Sequence, residues 1–141
     1  MQQNSTKSYS VFTNGFKETI DKLSTEIQNL YLEDQVPWVI GYSGGKDSST
    51  IAQLVWSAIE KLPAEKRTKQ IHIISTDTLV ENPVVAQWVA ASLERMKAAA
   101  DRAELPIVPH RLTPRIENSF WVNLIGKGYP APRNKFRWCT E

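Results

Sequence analysis

Residues 36–62 constrain the fold more than any other stretch of the chain. VPWVIGY (36–42) is a short apolar run with a proline near its start, the pattern of a strand buried on both faces. SGGKDS (43–48) follows it. Ile51, Leu54, Val55, Ala58, Ile59 and Leu62 then keep helical spacing until Pro63 ends the pattern. A strand, a glycine loop and a helix in this order need a parallel sheet to complete them. The charged connection PAEKRTKQ (63–70) leads to a second β-branched run, IHIIS (71–75), and residues 107–112 make a third strand. Between those strands Pro83 opens a long helix, ending near Leu105, whose Val85, Trp88, Val89, Met96, Ala100 and Ala103 share one face. Ahead of the first strand, Phe16, Ile20, Leu23, Ile27 and Leu30 line an amphipathic helix running to about Asp34, with Asn14 placed to cap it. The alternation predicts the α/β class: a parallel sheet flanked by helices on both faces.

A chain of 141 residues, 41% of them hydrophobic, holds one domain with an ordinary core. Residues 1–13 are polar and aperiodic and read as a flexible start. The net charge of +2 is too small to argue for a nucleic-acid partner by itself, but it is unevenly spread. Between Arg111 and Trp138 the cations Arg111, Arg115, Lys127, Arg133, Lys135 and Arg137 face a single acid, Glu117. With Cys139 as the one cysteine there is no internal disulfide framework, which fits a reducing compartment. No run approaches the roughly 20 apolar residues that cross a bilayer, and the first residues lack a signal-peptide core. The expectation is a cytoplasmic protein without a membrane partner.

The loop after the first strand of an open parallel sheet is where a helix N-terminus points at a ligand. Gly44 and Gly45 lack a Cβ, so the backbone there is free to take positive φ and to approach an anion closely. The unpaired N–H groups of the following helix and its dipole complete a phosphate cradle. Ser43 and Ser48 add hydroxyls at its rims, and Lys46 adds a mobile cation. Asp47 would repel a phosphate, so it is read as a helix cap or as a magnesium ligand. The loop is not a Walker A sequence, because counting from Gly41 puts Lys46 where its second glycine belongs and Asp47 where its lysine belongs. A plain turn that binds nothing is the competing reading.

Ser43, Gly44, Gly45, Lys46, Asp47 and Ser48 match the SGGxDS signature of the PP-loop ATP pyrophosphatases, which cleave ATP between its α and β phosphates to activate a substrate. Asp77 and Thr78, just past the second predicted strand, resemble the pair that lies near the nucleotide in that group and in sulfonucleotide reductases. Here Glu81 follows sooner than the acid of the reductases does, and Asp77 also suits a simple turn and Glu81 a helix start. Within the group, DTLVENP (77–83) and WVNLIGKGYPAPRNKFRWCTE (121–141) look like the DndC proteins of bacterial DNA phosphorothioation, relatives of phosphoadenosine phosphosulfate reductase.

The resemblance implies that residues 14–141 form a PP-loop nucleotide-binding domain incomplete at its C-terminus, since such proteins are longer. A strand beside the first would then be missing, leaving an open edge and poor solubility. It also implies ATP and Mg²⁺ as cofactors, DNA as partner through other modification proteins, and a cysteine desulfurase or other sulfur donor. The implied chemistry is attack of a DNA phosphate oxygen on the α-phosphate of ATP, loss of pyrophosphate, and replacement of the adenylylated oxygen by sulfur. Lys46, Asp47 and Cys139 are its candidate catalytic residues. Cys139 is read as a persulfide carrier, an iron–sulfur ligand or an inert thiol; a cluster takes four ligands, so this chain does not complete one. Arg133, Lys135 and Arg137, interleaved with Tyr129, Phe136 and Trp138, suit phosphate contact plus stacking, or else a solvated loop. A tRNA thiolase and a non-catalytic nucleotide-binding module are the alternatives.

Overall fold

The structure, a computed structural model, describes residues 15–133. Three parallel strands, β1 (Trp38–Gly41), β2 (Ile71–Thr76) and β3 (Ile107–Leu112), lie side by side in chain order. Helix α1 (Phe16–Glu33) precedes the sheet, and α2 (Lys46–Glu60) and α3 (Pro83–Arg102) are the crossovers. Pro83 takes the first position of α3 as expected, and Asn82 caps it, its side-chain oxygen accepting from the Val84 N–H at 2.9 Å. After β3, short 3₁₀ and π turns cover Ile116–Asn118 and Val122–Gly126. No helix among the described residues is long and apolar enough to cross a membrane.

The register sets Trp38 beside Ile71, Ile40 beside Ile73, and Ile71 beside Ile107. These residues share one face of the pleat, and with Val55 and Ile59 of α2 and Val89, Leu93 and Ala100 of α3 they form the core. The expected burial on both faces is not found. On the opposite face Val39 is 65% exposed, while His72, Ile74, Val108 and His110 are half-buried. The reason is topological: strands added in chain order by crossovers of one hand collect both crossover helices on the same side. β1 lies at the edge of the described sheet. On the barer face the chain's two histidines meet, His72 Nδ1 standing 2.9 Å from His110 Nε2.

Helix faces were only partly read from the apolar pattern. Val55, Ala58, Ile59 and Leu62 are buried as expected, but Ile51 is exposed. In α1 the face turned inward carries Ile20, Ser24, Ile27, Gln28 and Tyr31, leaving Phe16, Leu23 and Leu30 exposed. Polar anchors choose that face. Gln28 donates to the Ala58 carbonyl at 2.8 Å, and the Tyr31 hydroxyl donates to the Lys69 carbonyl at 2.6 Å while accepting from the Lys69 N–H at 2.8 Å. The N-cap of α1 is Gly15, which has no side chain to offer; Asn14 lies outside the described residues.

The connection 63–70 is more than a charged surface loop. Lys69 is buried, its ammonium 2.8 Å from Asp34 Oδ1 and over the rings of Tyr31 and Trp38, 5.1 and 4.7 Å from their centroids. Burial pushes the Tyr31 hydroxyl above its ordinary pKa, and the hydrogen bond from Lys69 holds the Asp34 carboxyl below the usual carboxylate range. Tyr31→Phe leaves both the N–H and the carbonyl of Lys69 without their partner. It should cost about 2–6 kcal/mol, at roughly 1–3 kcal/mol for each of the two buried groups left unsatisfied. Urea unfolding of the two proteins checks this, and a loss below about 0.5 kcal/mol would contradict the tyrosine's anchoring role.

Candidate functional site

The carboxyl ends of all three strands converge on a cleft of about 330 Å³. β1 contributes Gly41, with Tyr42 and Ser43 following it; β2 contributes Ser75 and Thr76, with Asp77 just beyond, and β3 contributes Arg111. Tyr42 extends the ladder, its N–H donating to the Ile74 carbonyl at 2.8 Å, and its buried side chain fixes where the loop departs. This is the edge at which parallel sheets bind ligands.

The two loop glycines differ. Gly44 has φ +76°, in the left-handed region, and a Cβ there would stand 2.5 Å from Trp88 Cζ3 and 2.9 Å from Val89 Cγ2. Trp88, expected on the core face of α3, is 47% exposed and lies against the loop instead. Gly45 has φ −76° and is the N-cap of α2. It supplies no side-chain cap, and the first backbone bond of the helix runs from the Ser49 N–H to the Gly45 carbonyl at 3.0 Å. The first-turn amides of Lys46, Asp47 and Ser48 therefore precede any intrahelical pairing.

Ser43 and Ser48 brace the loop. Their hydroxyls are 3.2 Å apart, the Ser48 hydroxyl donates to the Gly45 carbonyl at 3.1 Å, and the Ser43 N–H donates to Ser48 Oγ at 3.3 Å. The rims of the loop are thus tied to each other. Lys46 opens the helix, exposed. Asp47 is not the cap, because the cap position is taken by Gly45; it sits in the first turn, exposed, where the helix dipole favours a carboxylate.

Asp77 shares the cleft with Ser43, and it is engaged on both oxygens. Oδ2 accepts from the Arg111 guanidinium, and Oδ1 accepts from the Leu79 N–H at 2.8 Å, an Asx turn that holds Leu79 at φ +63°. Asp77 both forms this turn and lines the cleft. Thr78 is half-buried and is not among the cleft's lining residues, whereas Thr76 is. Glu81 lines the cleft from the segment before α3. Arg111 is the residue the sequence reading missed as a site residue; a cation next to the end of the third predicted strand was the available signal. Cys139, with Lys135, Phe136, Arg137 and Trp138, lies outside the described residues, and Arg133 is exposed.

The guanidinium of Arg111, then the Leu79 N–H, hold the Asp77 carboxyl below the usual carboxylate range. A carboxylate depressed in the folded state stabilises the fold fully above the unfolded value, about 3.9, and that contribution is lost as pH falls through the depressed value. Asp34 acts in the same direction. Asp77→Asn should therefore flatten the fall of the urea midpoint below about pH 4. An unchanged acid slope would show that the pair contributes nothing.

Among the described residues no group of three or more His, Cys, Asp or Glu is placed to hold a metal ion. Magnesium bound with a nucleotide needs only one or two carboxylates beside the phosphates. The exposed carboxylates of Asp47 and Glu81 offer that kind of hard oxygen donor, while those of Asp77 are engaged. Compared with family models, curated proteins and solved structures, the chain matches none.

Proposed function

We propose that the chain is the nucleotide-binding part of an ATP pyrophosphatase of the PP-loop type, with the SGGKDS loop as its pyrophosphate cradle. One observation carries this reading: Gly44, at positive φ and pressed against Trp88, joins a parallel strand to an uncapped helix start at the rim of a cleft. A left-handed turn takes glycine with or without a ligand, so the weight rests on the unpaired first-turn amides that the uncapped helix start leaves at the end of the sheet where the cleft lies. The N–H groups of the first turn and the Lys46 ammonium stand where negative charge grows on a departing pyrophosphate. No side chain has to act as nucleophile, because an oxygen of the substrate attacks the α-phosphate directly. Mg²⁺, held by the phosphates and by Asp47 or Glu81, would add charge neutralisation to the leaving group.

The resemblance to the DndC proteins directs the proposal to DNA as the activated substrate. An oxygen of a backbone phosphate forms a bond to the α-phosphorus, the bond from that phosphorus to the pyrophosphate breaks, and a sulfur nucleophile then displaces AMP. A cysteine desulfurase or another donor presents the sulfur as a protein persulfide; its terminal sulfur makes that attack, and a thiol reductant then cleaves the remaining S–S bond, leaving the phosphorothioate and a disulfide. Cys139, the chain's one cysteine, is the thiol proposed to carry that persulfide. The location that goes with this chemistry is the cytoplasm.

The test is the product pattern from ATP labelled at the α and γ positions, with magnesium and duplex DNA present. AMP and pyrophosphate are expected. ADP and phosphate would contradict the reading, and binding of ATP without turnover would leave a non-catalytic nucleotide module.

A further inference from the structure

The ion pair at the cleft points to a function for Arg111. Ser75 and Arg111 are register partners, so Arg111 leaves the sheet on the same face as the buried Ser75, at the end where the loop and the start of α3 stand. Its side chain is 47% exposed and lines the cleft, while its partner Asp77 is only 12% exposed. One terminal nitrogen of the guanidinium is hydrogen-bonded to Asp77 Oδ2. The group makes no other hydrogen bond among the described residues, which leaves most of its five N–H donors to the cleft. The carboxylate that holds it accepts in turn from the Leu79 N–H, and the Asp77 backbone is tied to β3 by its N–H, which donates to the Leu112 carbonyl at 2.8 Å. An arginine oriented by a carboxylate that is itself held by backbone bonds is a pre-set fork for a bidentate anion.

We propose that Arg111 is an anion-binding residue of this cleft, reaching the polyphosphate chain of the nucleotide from the side opposite the SGGKDS loop. This rests on the nucleotide reading above and adds a residue to it. The loop supplies backbone donors and one mobile ammonium; Arg111 supplies a planar, permanently charged fork from a different strand. The phosphates are then gripped between β1 and β3 with β2 as the floor. Asp77 is the positioning residue, holding one terminal nitrogen of the guanidinium at the cleft.

Calorimetric titration with inorganic pyrophosphate, with ATP and with adenosine, each with magnesium, tests the proposal on wild type, Arg111→Gln and Arg111→Lys. Arg111→Gln should weaken pyrophosphate binding at least tenfold and leave adenosine binding unchanged. Arg111→Lys, which keeps a cation for Asp77 and so preserves the fold, should weaken pyrophosphate binding by a smaller factor. If wild type binds pyrophosphate and both variants bind it equally well, the role of Arg111 is overturned while the nucleotide reading stands. If wild type binds neither pyrophosphate nor ATP, the nucleotide reading fails and this inference fails with it.

Discussion

Gly44→Ala is expected to destabilise the fold by about 2–5 kcal/mol, whereas Gly45→Ala should cost less than about 1 kcal/mol. The two substitutions add the same methyl group to neighbouring positions of one loop. At Gly44 it meets a left-handed backbone, at roughly 1–2 kcal/mol for an L residue, and a wall formed by the Trp88 ring and the buried Val89. Val89 belongs to the core and has no room to yield, so an overpacking cost of about 1–3 kcal/mol follows. At Gly45 the backbone is ordinary and the nearest neighbour of a Cβ is Ser43 Oγ at 3.4 Å. Urea unfolding separates the two cases, and equal effects would contradict the described loop.

Lys46→Ala should slow the formation of pyrophosphate from ATP on the order of 10²-fold while leaving adenosine binding unaltered. The ammonium stands at the first position of α2, exposed, on a side chain with no structural task in the core. Its removal therefore takes charge from the departing group without disturbing the scaffold, and the effect belongs in kcat rather than in stability. Lys46→Arg should recover part of the rate. A Lys46→Ala enzyme that released pyrophosphate at the wild-type rate would remove Lys46 from the chemistry.

Much of the fold was legible because its signals are local. The periodicity of residues 51–62, the β-branched runs and Pro83 each act within a few residues, and α2, β2, β3 and α3 lie where they indicate. What the pattern missed depends on partners far along the chain. The face of α1 is decided by Gln28 meeting Ala58 and Tyr31 meeting Lys69, which apolar spacing does not register. Lys69, within a run of charges, reads as surface, but Asp34, Tyr31 and Trp38 enclose it.

The site divides along the same line. The six loop residues stand out as a contiguous string, but the difference between Gly44 and Gly45 comes from Trp88, more than forty residues away in the chain, closing over only one of them. Arg111 is likewise invisible as a site residue until the sheet brings it to Asp77. Thr78 was grouped with Asp77 through the resemblance of the pair, but of the two only Asp77 lines the cleft.

The backbone amides of Ser43 to Ser48 hold the central claim, and their nitrogen–proton correlation spectrum during titration with ATP and magnesium tests it most directly. Saturable shifts at Gly44, Gly45, Lys46 and Asp47, matched by pyrophosphate and not by adenosine, are the expected result. A folded chain in which those signals stay in place at saturating ATP would contradict the account.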